Sequence, residues 1–427
     1  MKRRRPAIVF ILVTLLIDVM GIGLLLPVLP ALVGEFTPSR EAQTYWYGAM
    51  IVSFGLTQFL CAPLLGALSD RYGRRPVLLG SILGLGIMFL LSALATSLPA
   101  LLAARVFGGA LAANFSVANA YVADLTEPEN RAKSFGMVGA AFGIGFIVGP
   151  MLGGLLGDID VRLPFYLAAG LSAANFLYGY FVVPESLPPE RRKPVNWARA
   201  NPVSSLVGLT RLRAVGGLVA VIALVNLAQF VLHGIWVLYT TFRFGWSPRE
   251  TGFSLFIVGV MAAVVQGGLL GALIRRFGER RLVLMGLASA TVAYLSYGLI
   301  QVGWVMYVVI VLNFLAYGMG PALNALVSKA ADPTAQGVAM GSLASLASLM
   351  AVVAPFIGAP LLAASTHLPA DDWRVGAPMY MSALLSLFAL VLATMHFRRH
   401  RESAHVLAEA RTAVSDPMRD PMREPQR

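Results

Sequence analysis

What this chain lacks narrows its class quickly. Among 427 residues there is one cysteine, Cys61, which excludes an intrachain disulfide and any cysteine-built metal cluster. Charged residues make up only 13% of the chain against about a quarter in a soluble protein, while 57% are hydrophobic. No nucleotide-cradling glycine loop and no cluster of metal ligands occurs, and the polar loops are too short to hold a catalytic domain, so enzymatic chemistry is not expected. A net charge of +12 could point to nucleic acid, but lysine and arginine crowd into a few loops instead, and nucleic acid is not an expected partner.

What is present is long apolar runs. Mean hydropathy is +0.73, and runs of about 20 residues, enough to cross ~30 Å of hydrocarbon as a helix, alternate with short polar breaks. The opening "MKRRRPAIVFILVTLL" imitates a signal peptide, but its apolar run extends from Ala7 to about Pro30, so it reads as a first uncleaved span. The pattern predicts about twelve helical spans: 7–30, 46–65, 77–96, 99–122, 134–157 and 163–183, then 214–240, 250–274, 282–300, 303–327, 336–364 and 376–397. Residues 1–183 then form one six-helix bundle and 214–397 a second. The proline- and arginine-rich stretch 184–213 links them, and 398–427 is expected to be a disordered tail.

Basic residues set the orientation. Lys2 to Arg5, Arg71, Arg74, Arg75, Arg191, Arg192, Lys193, Arg275, Arg276, Arg280, Arg281, Arg398 and Arg399 all fall in alternate loops and at the ends. The other loops hold isolated arginines such as Arg40, Arg162 and Arg374. By the positive-inside rule both termini are cytoplasmic, in agreement with an even number of spans. The halves also repeat. "GALSDRYGRRPVLL" begins at Gly66 and "GALIRRFGERRLVL" at Gly271, an offset of 271 − 66 = 205. The same offset carries Asn119-Ala120 to Asn324-Ala325, Glu127-Pro128 to Asp332-Pro333 and Pro150 to Pro355.

One acid interrupts the first run, "VTLLIDVMGIGLLLP". At 1.5 Å per residue Asp18 lies about 16 Å from the inner end of its span, hence ~14 Å below the outer surface. A charge there costs several kcal/mol unless it is paired, wet or protonated, which makes it a candidate proton-carrying group. Arg105, about 9 Å deep in the fourth span, is within side-chain reach and is its expected partner, directly or through water. Gln58, Asn114, Asn119, Gln229, Phe230, His233, Trp236, Gln266 and Asn313 suit a mostly apolar cavity with a few polar anchors.

Several motifs together resemble one family. The loop holding Gly66, Asp70, Arg71, Gly73, Arg74 and Arg75 is similar to the signature loop of the major facilitator superfamily. "GPMLGGLLG", with Gly145, Gly149, Pro150, Gly153 and Gly154, resembles the glycine-proline motif of that superfamily's antiporters. With "DVMGIGLLLPVLP", "AYVAD" and "PES", the chain resembles the tetracycline-resistance efflux proteins, twelve-span drug:proton antiporters.

The resemblance implies an all-α membrane protein of two pseudo-symmetric six-helix bundles in a bacterial cytoplasmic membrane. It implies export of small drug-like molecules in exchange for protons, without a cofactor or resident metal, by a chain able to work as a monomer. Gly66 would let the second helix approach a neighbour closely. Asp70 would face the start of the eleventh helix, and Arg74 would bridge Asp70 to Asp124 as a cytoplasmic gate whose breakage permits rocking. Departures narrow the cargo. Met88, Ala290 and Ala262 stand where the tetracycline exporters carry two aspartates and a histidine, while Gln266 is kept, so tetracycline itself is not the expected substrate. A proton symporter or uniporter of a natural solute and, more remotely, a non-transporting receptor are the competing readings.

Overall fold

The computed structural model describes residues 4–112, 114–127, 131–192, 216–330 and 336–414. Fifteen α-helices and no strand occur among them. In the first half these are α1 (Arg4–Leu25), α2 (Leu29–Gly34), α3 (Arg40–Tyr72), α4 (Arg74–Ala93), α5 (Leu98–Leu111), α6 (Asn114–Leu125), α7 (Arg131–Gly157) and α8 (Leu163–Val182). The second half has α9 (Gly216–Phe244), α10 (Pro248–Val264), α11 (Leu270–Leu299), α12 (Gly303–Leu312), α13 (Phe314–Ala330), α14 (Gln336–Ala363) and α15 (Ala377–Val414). Local signals place the starts: Ser39 caps α3 by accepting from the Ala42 N–H at 3.2 Å, and Ser247 with Glu250 closes a capping box on α10.

The sequence repeat is also a structural one. The chain reverses at Gly73 (φ 106°) and at Gly278 (φ 75°), both in a region that favours glycine, and 278 − 73 = 205. One pair of helix starts obeys the same register: Leu98 and Gly303 (303 − 98 = 205).

Among the described residues eight helical stretches are long and apolar enough to cross a membrane, with Pro248–Leu299 counted as one, and nine if the α12–α13 pair, bent by 43°, counts as one span. Some runs read as continuous spans are broken. The first run, 7–30, divides at a turn after Leu25, and Ile11–Leu25 is short. The run 99–122 divides after Leu111, where Gln58 Nε2 donates to the freed Ala112 carbonyl at 2.9 Å. The run 303–327 divides at Asn313, whose Oδ1 accepts from Ser289 Oγ at 2.8 Å. At Ala112 a side chain from another helix satisfies the interrupted backbone, so hydropathy alone cannot see that break. The last helix differs at its far end. It continues past 397 to Val414, through alanine- and arginine-rich sequence that favours helix, where a disordered tail was expected. Most of the expected linker, 193–213, and residues 415–427 lie outside the described residues.

Buried side chains form three clusters. One joins both bundles at the end away from the arginine-rich loops, and includes Leu32, Tyr47, Trp236 and Leu362. The other two stay within single bundles at the basic end, around Val117 and Tyr121 in the first and Val221 and Leu282 in the second. Large apolar side chains such as Leu91, Phe181, Val292 and Phe388 point outward, as a lipid-facing surface requires.

Candidate transport chamber and gate

The bundles meet like the limbs of a V. Along α3 and α14, a Cβ on Gly48 would stand 3.0 Å from the Ala359 Cβ and one on Gly55 3.8 Å from Val352, while one on Gly66 would meet nothing within 4 Å. The second seam, α7 against α10, behaves the same way. A Cβ on Gly154 would stand 2.5 Å from the Pro248 carbonyl oxygen and 3.0 Å from the Gly252 Cα. Cβ atoms on Gly136, Gly139, Gly143, Gly267 and Gly268 would meet nothing within 4 Å. Both seams are therefore closed at the non-basic end and open at the basic end. Gly66 consequently supports no close helix approach in this structure.

The glycine-proline stretch of α7 explains how one seam can be so tight. Gly145, Gly149 and Gly153 press on the α1 backbone at Leu16, Met20, Gly23 and Leu24, while Gly154 presses on α10. Pro150 lies between, with its ring against Gly23 and its carbonyl against Gly252. Small residues let three helices touch at backbone distance, which is how helices associate where the hydrophobic effect gives little.

Two chambers open inside the V. The larger, about 330 Å³, is lined mainly by the second half, with Gln229, Trp236, Gln266, Asn313 and Tyr317, and by Phe146 of the first. Trp236 is held from behind, its Nε1–H donating to Ser254 Oγ at 2.9 Å. The smaller, about 270 Å³, lies between the bundles, with Ile22, Tyr47, Phe54 and Arg105 from the first and Phe230 and His233 from the second. His233 lines both chambers, and among the described residues no carboxylate lines either. Ala262, at the position of the exporters' histidine, opens on the larger chamber and Met88 on the smaller, whereas Ala290 is buried at 1% exposure.

Not every expected cavity residue is there. Gln58 is engaged at the Ala112 carbonyl, and Asn119, half-buried on α6, lines neither chamber. The Asn114 side chain lies outside the described residues.

Asp18 is buried at 6% exposure. On a helical face it shares the row of Ile11, Leu15, Ile22 and Leu25. Ile11 and Leu15 pack with Val117, Ala118 and Tyr121 of α6, while Ile22 and Leu25 line the smaller chamber, so Asp18 falls between the α6 contact and the chamber. Arg105 turns elsewhere. Its guanidinium carbon lies 4.4 Å from the Phe54 ring centroid, and no ion pair joins it to Asp18. Depth along two helices brings the residues to similar heights, but the direction each faces separates them.

The charge cluster at the basic end is well formed. Arg74 Nη1 lies 2.7 Å from Asp70 Oδ1, and Arg74 Nε donates to Asp124 Oδ2 at 3.1 Å. Ser69 Oγ accepts from Arg74 Nη1 at 2.6 Å. Arg75 donates to the Tyr180 carbonyl and lies over its ring, whereas Arg71 reaches only the ring of adjacent Tyr72. All three members of the triad belong to the first bundle, and they are joined while the bundles stand apart. The intact triad therefore does not by itself clamp the two halves, contrary to a simple lock. The Asp70 side chain is 47% exposed, and the side chains at the start of α14 that it was expected to face lie outside the described residues.

Three residues that composition did not single out hold this frame. Glu185 accepts from the backbone N–H groups of Arg74 and Arg75 at 2.9 and 3.2 Å, placing an acid at the start of α4 where unpaired donors favour it. Arg162 donates to the carbonyls of Ala93 and Ala95 at 2.7 and 2.9 Å. Arg243, 5% exposed, donates to the carbonyls of Ile300, Ala370 and Asp372 at 3.2, 2.6 and 2.5 Å. Since 300 − 95 = 205, arginines at unrelated positions secure equivalent carbonyls in the two halves. The only sequence signal was an arginine among loops otherwise poor in basic residues.

Two helical bundles around a central chamber, tight at one end and open at the other, have the architecture of a membrane transporter. The Major Facilitator Superfamily pattern matches residues 11–355, and the chain belongs to that family. It is 39% identical over 383 residues to the class C tetracycline resistance protein of Escherichia coli, covering 89% of this chain and 96% of that one. Identity to the class D tetracycline resistance protein of Salmonella ordonez is 37% over 391 residues, covering 91% and 97%. Among solved structures, the human organic anion transporter MFSD10 is similar at 28% identity, with a TM-score of 0.66 and coverage of 92% and 99%.

Proposed function

We propose that this protein exports small amphipathic compounds across a bacterial cytoplasmic membrane in exchange for protons, and that the structure is its inward-facing state. The observation that carries this reading is the taper along both seams, from close contact at Gly48 and Gly154 to open space at Gly66 and Gly139. With basic loops cytoplasmic, the open end faces the cell interior, where a cargo bound for export must enter. Twelve spans in two bundles of six, with both termini inside, complete the topology.

Asp18 is the coupling group. Neutralising a buried carboxylate lets the site pass between states without a bare charge, so protonation from outside and cargo release can alternate. The Arg74–Asp70–Asp124 triad keeps the ends of α3, α4 and α6 together as one rigid part during rocking. The relatives' names support drug export, while Met88, Ala290 and Ala262 argue for a cargo other than tetracycline. Expressed in a pump-deficient bacterial host, the wild type should raise resistance to a subset of amphipathic drugs, and Asp18→Asn should abolish that gain at equal protein level. Equal resistance in both strains would sink the role of Asp18. Proton uptake together with solute, instead of proton release, would favour a symporter.

A further inference from the structure

We propose that the smaller chamber receives the negatively charged head of the cargo against Arg105, so that the preferred substrate is an amphipathic organic monoanion with a flat apolar body. This deepens the export reading and rests on its premise that the central chamber holds the cargo. Arginine presents five N–H donors in a rigid plane and stays charged. Among the described residues the ion-paired cations are Arg74, Arg162, Arg374 and Lys329, each with an acid within 4.0 Å, and Arg105 is not among them. Nor does it use its donors as Arg243 does, on three main-chain carbonyls. Arg105 Nε is buried without a hydrogen-bond partner, and the compensation the described residues give its charge is the Phe54 ring face.

Arginine can also escape by stretching toward the membrane interface. Arg105 does not, since it borders the chamber together with Ile22, Met88 and Phe230. A buried cation left uncompensated is costly. The geometry lets a ligand remove that cost: a carboxylate or sulfonate would meet the guanidinium edge while its ring system stacks among Phe54, Phe89 and Phe230. A cationic ligand would meet Arg105 with no acid in either chamber to receive it. Neutral acceptors can bond the guanidinium, but charge-assisted pairs are about twice as strong.

Three probes of one shape test this: 2-naphthoxyacetate, the neutral 2-naphthoxyacetamide and 2-(2-naphthoxy)ethylammonium. Binding to the full-length protein in lipid nanodiscs is measured by calorimetry without any ion gradient. The anion should bind roughly tenfold or more tighter than the amide, the size expected for a charged hydrogen-bond partner, and the cation weakest of all. Arg105→Gln should remove the preference for the anion while leaving amide affinity within about twofold. Equal binding of the three probes by the wild type, or no detectable binding of the anion, overturns the proposal whether or not the variant folds. An equal loss for all three probes in a well-folded Arg105→Gln protein also overturns it, because that is a packing role. Since no gradient is used, anion preference without drug-driven proton release would leave this inference standing and remove the antiport mechanism. Proton release without anion preference would do the reverse.

Discussion

Gly154 of α7 and Gly252 of α10 meet so closely that a Cβ on Gly154 would stand 3.0 Å from the Gly252 Cα. This contact closes one end of the chamber, and its tightness depends on both residues lacking a side chain. Gly154→Val should therefore force the seam apart, with an overpacking cost of about 1–3 kcal/mol. Spin labels at Asp158 and Arg249 should report a longer distance than in the wild type. Gly139→Ala, where a Cβ meets nothing within 4 Å, should leave that distance unchanged.

At the basic end, Arg74 and Arg71 look alike in sequence and differ in what they touch. Arg74, 11% exposed, engages two carboxylates, whereas Arg71 is exposed and reaches a neighbouring ring. Charged hydrogen bonds of this kind are worth about 1.5–3 kcal/mol. Arg74→Gln should slow transport about tenfold or more, and Arg71→Gln should stay within about twofold, as expected for an isolated surface charge. Initial rates of drug efflux from energised cells check both.

Arg243 should matter for stability more than for cargo. Arg243→Met leaves three carbonyls without their donor, at about 1–3 kcal/mol for each buried group. Its thermal unfolding in detergent should fall by several degrees at least, about 2–4 °C for each kcal/mol. Arg249→Met, on the exposed side of α10, should leave the transition in place.

The loop before α15 carries a built-in indifference to acid. The Arg374 side chain, 2.7 Å away, and its backbone N–H hold the Asp372 carboxyl down from 3.8 to about 2. A depressed carboxylate pKa supports the fold above the unfolded value of 3.8 and loses that support only as pH falls toward about 2. Between pH 5 and pH 8 this clip stays ionised. Transport measured over that range should give the same acid limb in the wild type and in Asp372→Asn.

The 205-residue register, the glycine stripe of α7 and the Arg74 triad were legible in the sequence because each is a pattern of residue types at fixed spacing. The interruptions after Leu111 and at Asn313 were not, since the flanking residues are as apolar as any span and the compensating donors, such as Gln58, come from another helix. Arg162 and Arg243 escaped for a related reason: their partners are carbonyl oxygens, which every residue carries. Asp18 and Arg105 form no direct ion pair, for a reason of direction. A depth estimate fixes height along a helix, but the packing of α5 against α3 decides that Arg105 faces Phe54.

The account turns on Asp18 carrying the proton, and one measurement addresses it most directly. The protein is reconstituted in vesicles containing a pH-sensitive dye, and a compound to which it confers resistance is added. Wild type should release protons on addition of the compound, and Asp18→Asn should release none while still binding the compound and melting at the same temperature. Proton release of normal size from the Asp18→Asn protein would contradict the account.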